Sequence, residues 1–83
     1  MSDHDREVTV AELYQNQQVH LHSHLLHYLA MLDCVNQEFE LYLDVACNQY
    51  VVAIESLNAN CYFGFNLEGF AVDVELNANF YSE

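Results

Sequence analysis

The sequence predicts an α+β domain in which one long N-terminal amphipathic helix packs on a four-stranded antiparallel meander sheet. Three observations predict this class: an apolar stripe at helical spacing in the first half, apolar and polar residues that alternate in the second half, and Asn- and Gly-containing turns between the alternating segments. The 83 residues suffice for one domain, and no proline or linker-like tract divides them. We therefore expect a single acidic domain over residues 1–83, with residues 1–8 flexible, 9–33 helical and 38–76 in the sheet.

The predicted helix begins at a capping box formed by Thr9 and Glu12, whose Ser/Thr-x-x-Glu spacing lets each side chain accept a hydrogen bond from the other residue's backbone. At about 100° per residue, the apolar side chains form a stripe roughly 100° wide, which suits a helix face laid on a sheet. The stripe contains Val10, Tyr14, Leu21, Leu25, Tyr28, Leu29 and Leu32. Asn16 is a weak helix former, and any break in the helix is expected at residues 16–18.

Four strands are predicted at residues 38–45, 50–55, 61–66 and 70–76, with turns at 48–49, 58–60 and 67–69. Successive side chains of a strand point to opposite faces. In the first strand, the residues expected to face the helix are Phe39, Leu41, Leu43 and Val45. The alternating acids and tyrosine would then form a polar outer face, as is common in antiparallel sheets.

The charge balance excludes several functions. One Lys or Arg against thirteen Asp and Glu gives a formal charge of −12, so the chain lacks the cations that contact DNA, RNA or an anionic membrane. A hydrophobic content of 53% is too high for an acidic disordered tail. The charged N-terminus does not resemble a secretory signal, and three cysteines without C-x-x-C spacing suit a reducing compartment. We expect a cytoplasmic protein, in a host cell's cytosol if a phage encodes it.

The outer sheet face is the candidate partner-binding site. Same-face carboxylates stand about 6.6–6.8 Å apart along a strand and neighbouring strands lie about 4.8 Å apart, so the acids form a regular array that resembles the phosphate edge of a nucleic acid. The expected site residues are Glu38, Glu40, Tyr42, Asp44, Glu55, Tyr62, Asp73 and Glu75. Two other interpretations stay open: a solvated face that serves solubility, and adaptation to high salt.

Four of the five histidines lie within residues 20–27. On the helical projection His20, His24 and His27 are neighbours at spacings that can place imidazoles around zinc, with Glu12, Cys34 or a partner residue as the fourth ligand. The sequence contains no His-Glu-x-x-His signature, so zinc is a weak candidate and we otherwise expect no cofactor. The alternatives are a polar helix flank and a pH-sensitive or interface role.

The sequence gives no reason to expect an enzyme. It contains no nucleophile elbow or Gly-rich phosphate loop, since Gly64 and Gly69 are its two glycines. Exposed acids on a sheet face are not a general acid/base pair, which needs one carboxyl group whose pKa burial has shifted.

In size, charge and general build, though in no motif, the chain resembles the phage- and mobile-element-encoded inhibitors of restriction, repair or CRISPR effectors. That resemblance implies a non-enzymatic nucleic-acid mimic that blocks the basic nucleic-acid-binding site of a protein or effector complex. The alternative is an immunity protein, antitoxin or accessory subunit that binds one cognate protein. Either could be a monomer or a homodimer, the latter through an edge strand at residues 38–45.

Overall fold

A computed structural model describes residues 5–55 and 60–72 of the chain. Within these residues, the fold is a four-stranded antiparallel sheet with two short helices. The elements in chain order are β1 (Asp5–Glu7), α1 (Val10–Gln15), α2 (His24–Cys34), β2 (Glu40–Asp44), β3 (Gln49–Glu55) and β4 (Asn60–Asn66). The strand order across the sheet is β1-β2-β3-β4.

Strands β2, β3 and β4 form a meander, as the alternating segments predict. Strand β1 comes before the helices in the chain and pairs with β2 at the edge of the sheet. Residues 1–8 were expected to be flexible, whereas Asp5–Glu7 pair with Asp44–Tyr42 and the Val8 N–H donates to the Leu41 carbonyl at 2.9 Å. Because β2 lies between β1 and β3, the expectation that residues 38–45 form an edge strand is wrong. Of the predicted strand at 70–76, Ala71 forms an isolated bridge with Phe65, and residues 73–76 lie outside the described segments.

The prediction of one long N-terminal amphipathic helix is wrong. The capping box at Thr9 is confirmed, but α1 ends at Gln15 and α2, the longer helix, has 11 residues. Asn16 is the cap residue, and its side-chain Oδ1 accepts from the Gln18 N–H at 2.9 Å. Its Nδ2 donates to the Tyr50 hydroxyl oxygen at 2.7 Å. Asn competes well with helical backbone bonding in this way, so the helix is interrupted at Asn16, within the stretch 16–18 where a break is expected, and does not resume until His24.

The second helix has its own start signal. Ser23 is the N-cap of α2, and its Oγ accepts from the Leu26 N–H at 3.4 Å. Ser is among the preferred N-cap residues, so Ser23 in the sequence marks a helix start in the middle of the predicted helix.

Because the helix is interrupted, the buried residues of α1 and α2 differ from those of the predicted apolar stripe. The residues of the predicted stripe that the structure buries are Leu25, Leu29 and Leu32, with Tyr28 partly buried. Those it leaves exposed are Val10, Tyr14 and Leu21. Leu13, Val19 and Leu26 lie in the core instead. This follows because α1 and α2 are separate helices, each rotated about its own axis when it packs on the sheet.

The sheet buries side chains on both faces. The side that contributes to the core carries Leu41, Tyr50, Val52 and Phe65. On the opposite side Tyr42 and its cross-strand partner Val51 are also buried, so the expectation of one solvated polar face is wrong. Residues 50–54 are an unbroken apolar run, which is typical of a strand covered on both faces. Val45 was expected in the core but is exposed, because β2 ends at Asp44.

The loop after β4 docks onto the start of α2. Gly69, at the predicted turn, has a φ of +94°, and its carbonyl accepts from the Leu25 N–H at 2.8 Å. The Glu68 carbonyl accepts from the His20 N–H at 2.9 Å. A Cβ added at Gly69 would lie 2.5 Å from the Ser23 Oγ, so both the backbone angle and the close approach require glycine here.

Replacement of Gly69 by alanine is expected to lower the free energy of unfolding by about 2–4 kcal/mol, because the left-handed backbone and the contact with Ser23 both become unfavourable. Urea unfolding monitored by circular dichroism measures the change. Asn48→Gly is the control, since Asn48 also has a positive φ of 53° but glycine suits that angle. Equal stability of Gly69→Ala and the wild type would contradict the close packing of this loop.

Candidate functional site

The structure places most of the predicted site residues on one side of the sheet. Glu40, Tyr42 and Asp44 alternate along β2, Glu55 ends β3, and Tyr62 pairs with Ala53 from β4. In the antiparallel register Glu40 also pairs with Ala53, so Glu40, Ala53 and Tyr62 form one row across three strands. Cross-strand partners share a face, which places these side chains together.

Two of the predicted residues, Asp73 and Glu75, lie outside the described residues. Glu38 lies two residues before β2 and is exposed.

The exposed acids gather at one end of this face. Glu40 and Glu55 are both exposed, and Glu55 is the diagonal neighbour of Glu40, a relation that spans about 7–8 Å. Glu7 joins them from β1, because it is exposed and pairs with Tyr42. We call these residues and Glu38 the acidic patch: Glu7, Glu38, Glu40 and Glu55.

The other end of the face is closed to solvent. Tyr42 is 6% exposed and Asp44 is 1% exposed, although the sequence predicts both on the solvent side. Asp44 accepts a hydrogen bond from the Cys47 N–H at 3.2 Å, and it pairs across the strands with Asp5. Asp44 therefore helps to shape the β2–β3 turn, and a partner cannot reach its carboxylate without a change in the fold.

Buried Tyr42 contacts one residue of the acidic patch, Glu40. Its hydroxyl donates a hydrogen bond to the Glu40 carboxylate, the next residue on the same face. The bond joins a buried side chain to an exposed carboxylate on the same face of β2. Tyr62, half-buried, lies in the same cross-strand row as Glu40.

Sequence reasoning missed Glu7 and Asp5 as members of this face. The strand that holds them is three residues long, and its sequence Asp-Arg-Glu has no apolar alternation. No sequence signal distinguishes it from a charged tail, and its position follows from pairing with β2.

The single Arg of the chain is already paired. The Arg6 Nη1 atom donates to the Glu12 carboxylate at 3.0 Å, and this bond, with a second from the Thr9 backbone, lowers the pKa of Glu12. Both side chains are substantially exposed, so the pair is worth little in stability. It nevertheless means that Arg6 is engaged at α1 rather than beside the acidic patch.

The histidines do not form a metal centre in the described segments. His20 lies in the loop before α2, His24 is the first residue of α2, and His24 Nδ1 accepts from the Ala71 N–H at 3.1 Å. The rings of His20 and His24 lie 5.8 and 5.3 Å from Phe70, so they pack against the docked loop. Within residues 5–55 and 60–72, no three His, Cys, Asp or Glu side chains are placed to hold a metal ion. The zinc hypothesis for His20, His24 and His27 therefore gains no support there.

Cys34, Cys47 and Cys61 are free and exposed. The negative charge of Asp44, together with desolvation and a hydrogen bond to Asp44, raises the pKa of the Cys47 thiol. Raising a thiol pKa reduces its thiolate fraction and so its reactivity.

Neither helix in the part of the chain that the structure describes has the length and apolarity needed to cross a bilayer. Comparison of the chain with protein-family models, curated proteins and solved structures finds no significant match.

Asp44→Asn is expected to increase the rate at which Cys47 reacts with iodoacetamide severalfold at about pH 8, because loss of the neighbouring charge lowers the thiol pKa. The measurement uses a Cys34→Ser, Cys61→Ser background, so that one thiol reacts. Glu55→Gln in the same background is the matched control, since Glu55 is at the far end of β3 from the β2–β3 turn. Equal rates in a folded Asp44→Asn variant would contradict the electrostatic contact.

Raising the salt concentration from about 0.01 to 0.15 M is expected to raise the melting temperature, because the Debye length falls from about 30 to 8 Å and repulsion among the acids weakens. Differential scanning calorimetry measures the shift. Glu38→Lys with Glu55→Lys makes the charge less negative, so this variant should show a smaller salt response. A melting temperature that falls or stays level with salt would mean that the acids are locally compensated.

Proposed function

We propose that this protein is a non-enzymatic acidic inhibitor that occupies the basic nucleic-acid-binding site of a protein and competes there with DNA or RNA. The observation that carries the proposal is the acidic patch on a rigid sheet in a chain of formal charge −12, whose single Arg is engaged elsewhere. Exposed carboxylates at fixed sheet spacing are suitable partners for the Arg and Lys side chains that otherwise contact phosphates.

The geometry supports recognition by several cations together. Glu40 and Glu55 come from adjacent strands, Glu7 from the strand on the other side of β2, and Glu38 from the segment leading into β2. Carboxylates on three neighbouring strands, about 4.8 Å apart, can contact several clustered cations at once.

The uncompensated charge also favours fast association. A coherent negative field steers the protein toward a basic cleft and raises the association rate, most strongly at low salt. Direct contact with nucleic acid is disfavoured by the same field, because phosphates and carboxylates repel each other. The charge thus selects for the binding protein over its nucleic-acid ligand.

The second candidate is an immunity protein, antitoxin or accessory subunit that binds one cognate protein. The observation that favours it is the set of large apolar side chains left exposed around the helices, which a mimic of phosphates alone does not need. Such side chains are typical anchors of specific protein interfaces. A cognate partner of this kind would bind with little dependence on nucleic acid.

The test begins with affinity capture from lysate at about 0.15 M and 0.5 M salt, followed by purification of the captured protein and a binding assay with added DNA or RNA. The inhibitor proposal predicts a basic nucleic-acid-binding protein whose affinity for this chain falls with salt and which nucleic acid displaces. A salt-resistant partner that is indifferent to nucleic acid would favour the second candidate.

A pair of charge variants locates the interaction. Glu40→Lys with Glu55→Lys is expected to weaken partner binding at least about tenfold, equivalent to about 1.4 kcal/mol. The control combines Glu68→Lys, Gln17→Lys and Gln18→Lys, three exposed positions outside the sheet, and has the same net charge. Equal loss in both variants would show that total charge rather than the acidic patch determines binding, and no loss in either would overturn the proposal.

A further inference from the structure

A groove with apolar walls separates α1 from α2. Its volume is about 410 Å³, which lies within the range of pockets that accommodate ligands or anchoring side chains. The side chains that line it are Val10, Tyr14, Leu26, Leu29, Ala30, Asp33 and Phe39. All except Asp33 are apolar or aromatic.

The groove exists because the two helices do not continue one another. Leu13 is the buried residue of α1, which leaves Val10 and Tyr14 on the flank that faces α2. Tyr14 is 61% exposed, an unusual position for an aromatic ring that the sequence predicts in the core. Leu26 and Leu29 form the floor and belong to the hydrophobic core, so the floor is rigid.

The charge at the groove has one sign. Asp33 is an exposed acid in the lining, and exposed Glu38 precedes Phe39 in the chain. Arg6 is the chain's single Lys or Arg residue, and it pairs with Glu12. It is not among the side chains that line the groove. An apolar groove with one acid, Asp33, in its lining is complementary to a segment that presents aliphatic side chains beside a Lys or Arg.

We propose that this groove is a docking site for a cationic amphipathic helix of the partner protein. Helix-in-groove recognition inserts apolar side chains at spacings of three and four residues while the polar face stays in water. Lys or Arg beside those anchors would meet Asp33 and the negative field of the chain. The inference rests on the proposed function only in taking the partner to be basic, and it adds an apolar anchor that the acidic patch lacks.

The test uses a fluorescent peptide of about 18 residues, five helical turns, composed of Leu and Lys in an amphipathic pattern. Binding is measured by fluorescence anisotropy, and the contact surface is mapped by amide chemical shifts in ¹H–¹⁵N spectra. We expect saturable binding with the largest shifts at the lining residues. A scrambled peptide of the same composition should bind at least about tenfold more weakly, which corresponds to about 1.4 kcal/mol.

Two variants block or open the groove without changing the charge. Ala30→Trp fills it and should weaken binding of the amphipathic peptide about tenfold, while Met31→Trp, one residue along α2 and outside the lining, should leave it within twofold. Tyr14→Ala removes one wall and should weaken binding severalfold, with exposed Leu21→Ala as its control. If Ala30→Trp does not fold, Tyr14→Ala still tests whether the peptide binds at the groove.

Three outcomes would overturn the docking site. The first is equal binding of the amphipathic and scrambled peptides, which would mean attraction by charge alone. The second is a set of shifts confined to β2 and β3, with no effect of Ala30→Trp. The third is no saturable binding. None of these affects the proposed function, because the acidic patch is tested by Glu40→Lys with Glu55→Lys in a chain whose groove is intact.

Discussion

The side chain of Asn16 determines how the helical half of this protein is built. Its Oδ1 accepts from the Gln18 N–H and its Nδ2 donates to the hydroxyl of Tyr50 in β3, so one residue ends α1 and attaches it to the sheet. The chain then needs a second start, which Ser23 supplies. Because each helix now packs at its own rotation, Leu13 and Leu26 enter the core while Val10 and Tyr14 remain at the surface, and the groove between α1 and α2 follows from that exchange.

Acids on one face of the sheet lie in two environments, according to their position along the strand. Glu40 and Asp44 lie on the same strand and face, four residues apart, yet Glu40 is exposed and Asp44 is buried at the β2–β3 turn. Burial of a carboxylate is costly unless it is hydrogen-bonded, and Asp44 accepts from the Cys47 backbone. Its role is therefore structural, and the exposed acids described on this face lie toward the opposite end of the strands.

Sequence reasoning located the features that local chemistry determines and missed those that tertiary pairing determines. The capping box at Thr9, the turn at Gly69 and strands β2 to β4 each have a local signal. Strand β1 has none, because Asp5–Glu7 acquires its structure from β2. The apolar run at 50–54 indicates a sheet buried on both faces, whereas the period-two alternation in β2 indicates one polar face. For the site, the same alternation placed Glu40 and Glu55 correctly at the surface and placed Tyr42 and Asp44 there wrongly.

Charge and apolar surface would contribute differently to binding. A field from carboxylates acts over a Debye length, about 8 Å at physiological salt, and mainly accelerates encounter. Affinity differences between related complexes reside mostly in dissociation rates, which depend on desolvated contacts rather than on rim charges. An acidic patch alone would therefore give a complex that associates quickly and dissociates quickly. A groove lined by Tyr14, Ala30 and Phe39 supplies the kind of contact that lengthens residence, so the two surfaces together suit an inhibitor that must outlast a competing nucleic acid.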